Sequence, residues 1–265
     1  MGERRIIQRI IMTYIIEIDN ISIMVTFEPV EKITLCVNYE EKSVLMEAPL
    51  KKPQEYIQNF AARHIEWIKK HTKRINAHPE IVGVYIVDTS YYVFGEPYKL
   101  EIVEYNGNQK IIFEDGEYIT MYVRPNTAQE KKLKLLVKWY RDILKDLAPA
   151  VINEYEPIVG VKVEELNVRK MGHCWAFAGR CKTTNEFTSI TLNSLLVMLK
   201  PECIGFVILH EMVHLIQLEH NREFFSLMDK YMPTWKEVEK ELRKTENTLF
   251  PSKNIQYELF TEEYL

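Results

Sequence analysis

The stretch that most constrains this chain is residues 204–218, Ile-Gly-Phe-Val-Ile-Leu-His-Glu-Met-Val-His-Leu-Ile-Gln-Leu. Pro201 sits well as the first residue of a helix that runs to about Leu218. A helix that is apolar all round is a buried one. Three polar side chains, His210, Glu211 and His214, interrupt it. Burying them costs free energy unless they are paired or ligated. On a helix, residues four apart are neighbours, with Cβ atoms about 5–6 Å apart. His210 and His214 can therefore both reach one Zn²⁺ at about 2.0–2.1 Å. Glu211 points about a quarter-turn away, where it misses the metal but can hydrogen-bond its water. His220 follows six residues after His214. On an unbroken helix it would lie about 120° round from His214. It becomes a third ligand if the helix breaks near Leu218–Glu219, and Asn221-Arg222-Glu223-Phe224-Phe225 reads as a fresh helix start.

Three neutral imidazoles would leave the charge of one zinc ion uncompensated and one position open. Such an ion lowers the pKa of its water toward ~7. Glu211 would take that proton as general base. A developing oxyanion needs a further donor, for which His173, Arg222 and Tyr231 are the candidates.

Elsewhere the hydrophobic period changes. Residues 13–27 form two β-branched runs joined at Asp19-Asn20, a hairpin signal, and runs at 33–37 and 43–47 continue it. From Lys52 to Arg74, Ile57, Phe60, Ala61, His64, Ile65 and Ile68 recur at three- and four-residue steps, which predicts one amphipathic helix. Strands resume at 81–87, 91–94, 98–103, 110–113 and 118–123, punctuated by Gly95-Glu96-Pro97, Asn106-Gly107 and Asp115-Gly116. A long helix is expected from 126 to about Tyr155, with Leu135, Trp139, Ile143 and Leu147 facing inward. A β-rich stretch follows at 161–168 and 187–192. After the motif helix come a helix over about 221–231 and a last one capped by Thr234 with Glu237. The organisation expected is an antiparallel β-rich region over 1–125, a second region over 126–245, and a tail over 246–265. Leu249, Phe250, Tyr257, Phe260 and Tyr264 make that tail apolar enough to dock on the body, with docking on a partner or in the cleft as an autoinhibitor as the alternatives. His64, His71 and His78 lie two helical turns apart, too far to share a metal, and read as packed or solvated.

Composition serves mainly to exclude. The chain has 265 residues with 34 Lys plus Arg against 38 Asp plus Glu, a formal charge of −4. That balance gives no electrostatic case for nucleic acid or an anionic membrane surface. No run reaches the roughly 18 apolar residues of a bilayer span. The four cysteines, Cys36, Cys174, Cys181 and Cys203, are sparse and form no Cys-x-x-Cys pair. Reduced thiols in the cytoplasm are expected. Met12 is a candidate natural start, because the strand pattern begins just after it.

The chain resembles the YgjP-like zinc metallopeptidases, a family related to the SprT and WLM groups. The resemblance rests on Ile190-Thr191-Leu192-Asn193, Pro201, His210-Glu211-Met212-Val213-His214-Leu215, His220-Asn221-Arg222-Glu223-Phe224-Phe225 and Pro233-Thr234-Trp235. Looser landmarks are Ala48-Pro49, Trp67-Ile68 and Gly95-Glu96-Pro97-Tyr98. The family's Arg-Trp-Gly-Ser-Cys stretch corresponds to Arg169–Ala178 here, with Trp175 kept. The resemblance implies an α+β fold: the N-terminal antiparallel β region with one helix, then a mostly helical zincin-like region. It implies His210, His214 and His220 as ligands of one Zn²⁺ and Glu211 as base. In related peptidases an edge strand binds the substrate backbone, and Thr188–Asn193 is the strand expected to do so. Thr191, Asn193, His173, Trp175, Arg222 and Tyr231 are the expected substrate contacts. The function implied is zinc-dependent hydrolysis of peptides or unfolded proteins. The alternative is a catalytically inactive zinc protein that binds peptide or a partner, and a third reading is an amidase on non-peptide amides. The sequence does not name the oligomeric state.

Overall fold

The computed structural model describes residues 13–113, 118–172 and 174–249. His173, the start at Met12 and the tail from Phe250 onward lie outside them. The chain forms two compact units, residues 1–91 with 98–132, and residues 92–97 with 133–265.

The first unit opens with β1 (Thr13–Ile18) and β2 (Ile21–Glu28), joined at Asp19 and Asn20, both with positive φ. Two such residues in a row match the twist of a tight hairpin. β3 (Thr34–Asn38) and β4 (Ser43–Pro49) follow, then α1 (Gln54–Arg63) and α2 (Ile65–Arg74). The single helix expected over 52–74 is thus two, interrupted at His64 with φ −107° and ψ 14°. β5 (Ile81–Val93), β6 (Glu96–Tyr105), β7 (Lys110–Ile112) and β8 (Tyr118–Val123) complete an eight-stranded sheet of order β1-β2-β4-β3-β5-β6-β8-β7.

This sheet is mixed, where the sequence led us to expect an antiparallel one. β2 runs parallel to β4, and β6 parallel to β8. One device explains both pairs. After β2 the chain skips a place, lays down β3, and returns antiparallel into the gap as β4. After β6 it does the same with β7 and β8. Alternating inward residues such as Ile23 and Val25, Leu35 and Val37, and Met46 and Ala48 pack against Ile57, Phe60, Trp67 and Ile68 of the two helices.

The second unit begins with the body of α3 (Gln129–Val159). Its buried stripe is Leu136, Tyr140, Leu144, Ala148 and Ile152, one residue on from the expected set. Leu135, Trp139, Ile143 and Leu147 flank that stripe, half-buried. β9 (Glu165–Arg169), β10 (Ala176–Gly179) and β11 (Ser189–Asn193) form a three-stranded sheet of order β10-β11-β9. The C-terminal region is therefore helical with a small sheet of its own. A 3-10 turn (Ser194–Met198) leads into α4 (Pro201–His214), followed by α5 (Arg222–Tyr231) and α6 (Trp235–Leu249).

Residues 92–97, the tip between β5 and β6, belong to this unit. The Phe94 N–H donates to the Val197 carbonyl at 2.7 Å and the Tyr140 hydroxyl to the Tyr92 carbonyl at 2.8 Å. Gly95 is required at the turn. Its φ is +86°, and a Cβ there would lie 2.5 Å from Lys200 Cγ. No helix among the described residues is long and apolar enough to cross a membrane.

Candidate metal centre

α4 is buried on nearly every side. Ile204, Phe206, Val207, Ile208, Leu209, Met212 and Val213 are all fully enclosed. It packs on α5, α6, β10 and β11. Two polar residues share that burial, His210 at 1% exposed and Glu211 at 3%.

The helix ends at His214, four residues before the expected break. The Leu215 N–H bonds to the Met212 carbonyl, and the Ile216 and Gln217 N–H groups both bond to that of Val213, so the chain turns at once. The turn also serves His214. Its Nδ1 lies 3.1 Å from the Gln217 carbonyl, which only a protonated Nδ1 can approach, so Nε2 carries the lone pair. The chain then passes His220 and starts α5 with Asn221 as cap, whose side-chain oxygen accepts from the Glu223 and Phe224 N–H groups.

These turns bring three imidazoles together. His210 Nε2 is 3.1 Å from His214 Nε2 and 3.0 Å from His220 Nε2. A ligand atom from each of the three lies within 4.8 Å of those of the others. Tetrahedral coordination at about 2.0–2.1 Å separates ligand nitrogens by about 3.3 Å, so the donors are close to metal-holding distance. Phe224, fully buried, sits under all three rings, with centroids 4.9, 4.7 and 4.7 Å from those of His210, His214 and His220. It packs against all three imidazoles. Beside it, Phe225 stacks on Trp235, and Trp235 on Phe206, which joins α5, α6 and α4.

Electrostatics suit a cation. Burial, then the neighbouring imidazoles, pushes His210 well below its ordinary value and His214 down to about 4, and burial lowers His220. All three are therefore neutral at pH 7, the form that ligates metal. Burial raises Glu211 to about 8, although the Ala178 backbone N–H, bonded to its carboxylate, works against that rise. Ala178 lies in β10, so that strand faces Glu211.

The remaining expected contacts fall differently. β11, with Thr191 and Asn193, is the central strand, paired antiparallel to β10 and parallel to β9. Both its edges are used, so it has no free edge for a substrate; β10 and β9 are the edge strands, and of the two β10 reaches Glu211. Asn193 is fully buried. Its amide donates to the Met171 and Cys174 carbonyls and its oxygen accepts from the Met171 and Leu195 N–H groups, which leaves it no atom for a ligand. Trp175 is also fully buried and donates to Glu246. Thr191 is 6% exposed. Arg222 is exposed in the first turn of α5, and the Tyr231 hydroxyl donates to the Val159 carbonyl at 3.3 Å. Sequence reasoning assigned no role to Phe224 or Ala178. Phe224 lies four residues after His220, a spacing that could have marked it; Ala178 sits on a four-residue strand too short for periodicity to reveal.

Two helix-borne histidines and a third past the helix end form a cluster that could hold a metal ion, with a buried glutamate beside it. The family model for the YgjP-like metallopeptidase domain matches residues 31–245, and the chain belongs to that family. No curated protein matches the chain. A similar solved structure is the crystal structure of the metallopeptidase zymogen of Pyrococcus abyssi abylysin. It is 20% identical over 37% of this chain and 94% of that chain, with a TM-score of 0.32.

Proposed function

We propose that the protein is a zinc peptidase that hydrolyses peptide bonds in peptides or unfolded proteins, with Glu211 as general base. One observation carries the reading: His210 Nε2 lies 3.0–3.1 Å from the Nε2 atoms of both His214 and His220, beside a buried carboxylate. His210, His214 and His220 would hold the ion. When bound, zinc supplies the charge that polarises a scissile carbonyl and acidifies a water molecule.

The chain's own groups do the rest. Glu211 accepts a proton at a carboxylate oxygen and passes it to the leaving amine. The free edge of β10 offers backbone groups to an extended substrate by strand addition. Arg222 is the proposed donor to the developing oxyanion, since the Tyr231 hydroxyl is committed to the Val159 carbonyl. The cytoplasm is the proposed compartment, supported by four free cysteines.

Two measurements test this. Purified wild-type protein should carry about one equivalent of zinc, and His214→Ala should lose it. Wild-type protein should cleave an unfolded protein such as reduced casein, and Glu211→Gln should retain zinc but lose cleavage. Equal cleavage by both would refute Glu211 as base. Zinc bound with no cleavage of any peptide library would favour a zinc-binding protein without catalysis.

A further inference from the structure

The first unit holds a cavity of about 430 Å³, none of whose lining belongs to the metal centre. Its volume falls within the roughly 300–1,000 Å³ of small-molecule sites. The floor is a closed polar network. One oxygen of the buried Glu101 accepts from Trp67 Nε1 at 2.8 Å and lies 3.0 Å from His71 Nε2, and the other accepts from the Thr120 hydroxyl at 3.1 Å. The Tyr39 hydroxyl meets His71 Nδ1 at 3.2 Å. Burial alone would raise Glu101, but His71, Trp67 and Thr120 outweigh it and hold the carboxyl below its ordinary range. The anion of the floor is thus committed to donors within the floor.

The mouth is different. Lys70 and Arg74 stand one turn apart on α2, and Lys110 comes from β7 on the sheet. All three are exposed, and none has an ion-pair partner among the described residues. The other acid at the opening, Glu80, is exposed and lies 3.2 Å from His78. Among the described residues, three cations from two elements therefore face one exposed carboxylate, Glu80, at this opening, which leaves an excess of positive charge. The wall beside them is aromatic: Tyr105 and Tyr122 meet edge to face at 5.4 Å, and the Lys110 ammonium stands 4.9 Å above the Tyr122 ring.

A preformed polar floor, flat rings on one wall and an excess of cations at the mouth call for a ligand with an anionic head and a flat body. We propose that this cavity binds a small ring acid, a carboxylate or phosphate monoester on an aromatic or heterocyclic ring. The head lies among Lys70, Arg74 and Lys110, and the ring lies against Tyr105 and Tyr122. Arg74 contributes a planar fork matched to either head group.

Isothermal titration of the full chain with phenyl phosphate, phenylacetate, inorganic phosphate and benzylamine tests the assignment. At least one ring acid should bind roughly tenfold or more tightly than inorganic phosphate, since stacking one ring contributes about that much. Benzylamine, the cation of similar shape, should not bind. The stronger of the two ring acids identifies the head group. Arg74→Gln and Lys110→Gln remove one charged contact each, and each should weaken binding about tenfold or more. Both positions are exposed, so unchanged melting of the variants checks folding, and the second variant covers a failure of the first. No binding of either ring acid at millimolar concentration would overturn the proposal. So would inorganic phosphate or benzylamine binding as tightly as the ring acids, or both variants binding like wild type.

Discussion

Replacing Glu211 by glutamine should stabilise the metal-free protein while removing its proposed chemistry. Burial drives the Glu211 carboxyl from 4.5 up to about 8. A carboxyl whose pKa is higher in the folded state costs nothing below its unfolded value. It destabilises the fold progressively as pH rises toward the folded value, above which the cost is complete. The difference, 8 − 4.5, is about 3.5 units. At 1.36 kcal/mol per unit this amounts to about 5 kcal/mol above pH 8. Glutamine keeps an acceptor for the Ala178 N–H and has no charge to bury, but its amide carries a burial cost of about 1–3 kcal/mol. The net gain at pH 9 should therefore be about 2–4 kcal/mol, shrinking to nothing or reversing near pH 5. The assay is urea unfolding of chelator-treated wild-type and Glu211→Gln protein at both pH values. The three histidines are common to both proteins, so their titration cancels in the difference. Equal midpoints at pH 9, or a gap that does not change with pH, would refute the reasoning.

Other perturbations reach the parts around the site. Phe224→Leu should lower zinc affinity by about 10–100-fold through loss of ligand orientation, measured by competition with a chelating dye. Asn193→Ala leaves four backbone groups of the Met171–Leu195 latch unsatisfied. It should cost about 3 kcal/mol or more, read as a lower denaturation midpoint and faster proteolysis near residue 172. Gly95→Ala forces a side chain into φ +86° against Lys200 and should cost roughly 1–3 kcal/mol, read as a lower melting temperature. Glu101 is held low by its partners, so its stabilisation is present above the ordinary carboxylate range and lost as pH falls through the folded pKa. Glu101→Gln should therefore be less stable than wild type at pH 7, with the deficit closing in acid titrations.

What was legible in the chain depended on how locally it was encoded. His210 and His214 could be assigned because four residues of helix fix their separation, and Asn221 announced the second helix. The break that admits His220 was legible as a necessity but misplaced by four residues. It is set by contacts around Val213 and by the His214–Gln217 bond, which no local pattern reports. The stripe of α3 slipped by one because residues 135, 139, 143 and 147 are as apolar as 136, 140, 144 and 148; tertiary packing chose the second set. Strand positions were readable from alternation. Their order was not, because β4 and β8 insert into gaps left by an earlier strand, and neighbours in sequence then cease to be neighbours in the sheet. The same limit misassigned the edge. β11 is the more hydrophobic, more strand-like segment, and being sheltered on both sides is why it reads so clearly.

The geometry of α4 explains why the site needs both of its other partners. Successive residues on a helix point about 100° apart, so His210 and Glu211 cannot face the same neighbour. His210 and His214 turn toward Phe224 on α5, and Glu211 turns toward Ala178 on β10. The metal face and the strand face are adjacent sides of a single helix. A change in α5 should therefore alter metal affinity first, and a change in β10 should alter hydrolysis with zinc still bound. Phe224→Leu and Ala178→Pro separate the two. Proline on this edge strand removes the N–H that reaches Glu211 and puts a ring carbon in its place. If Ala178→Pro lost zinc as completely as His214→Ala does, the two faces would not be independent, and the division of labour proposed for this helix would be wrong.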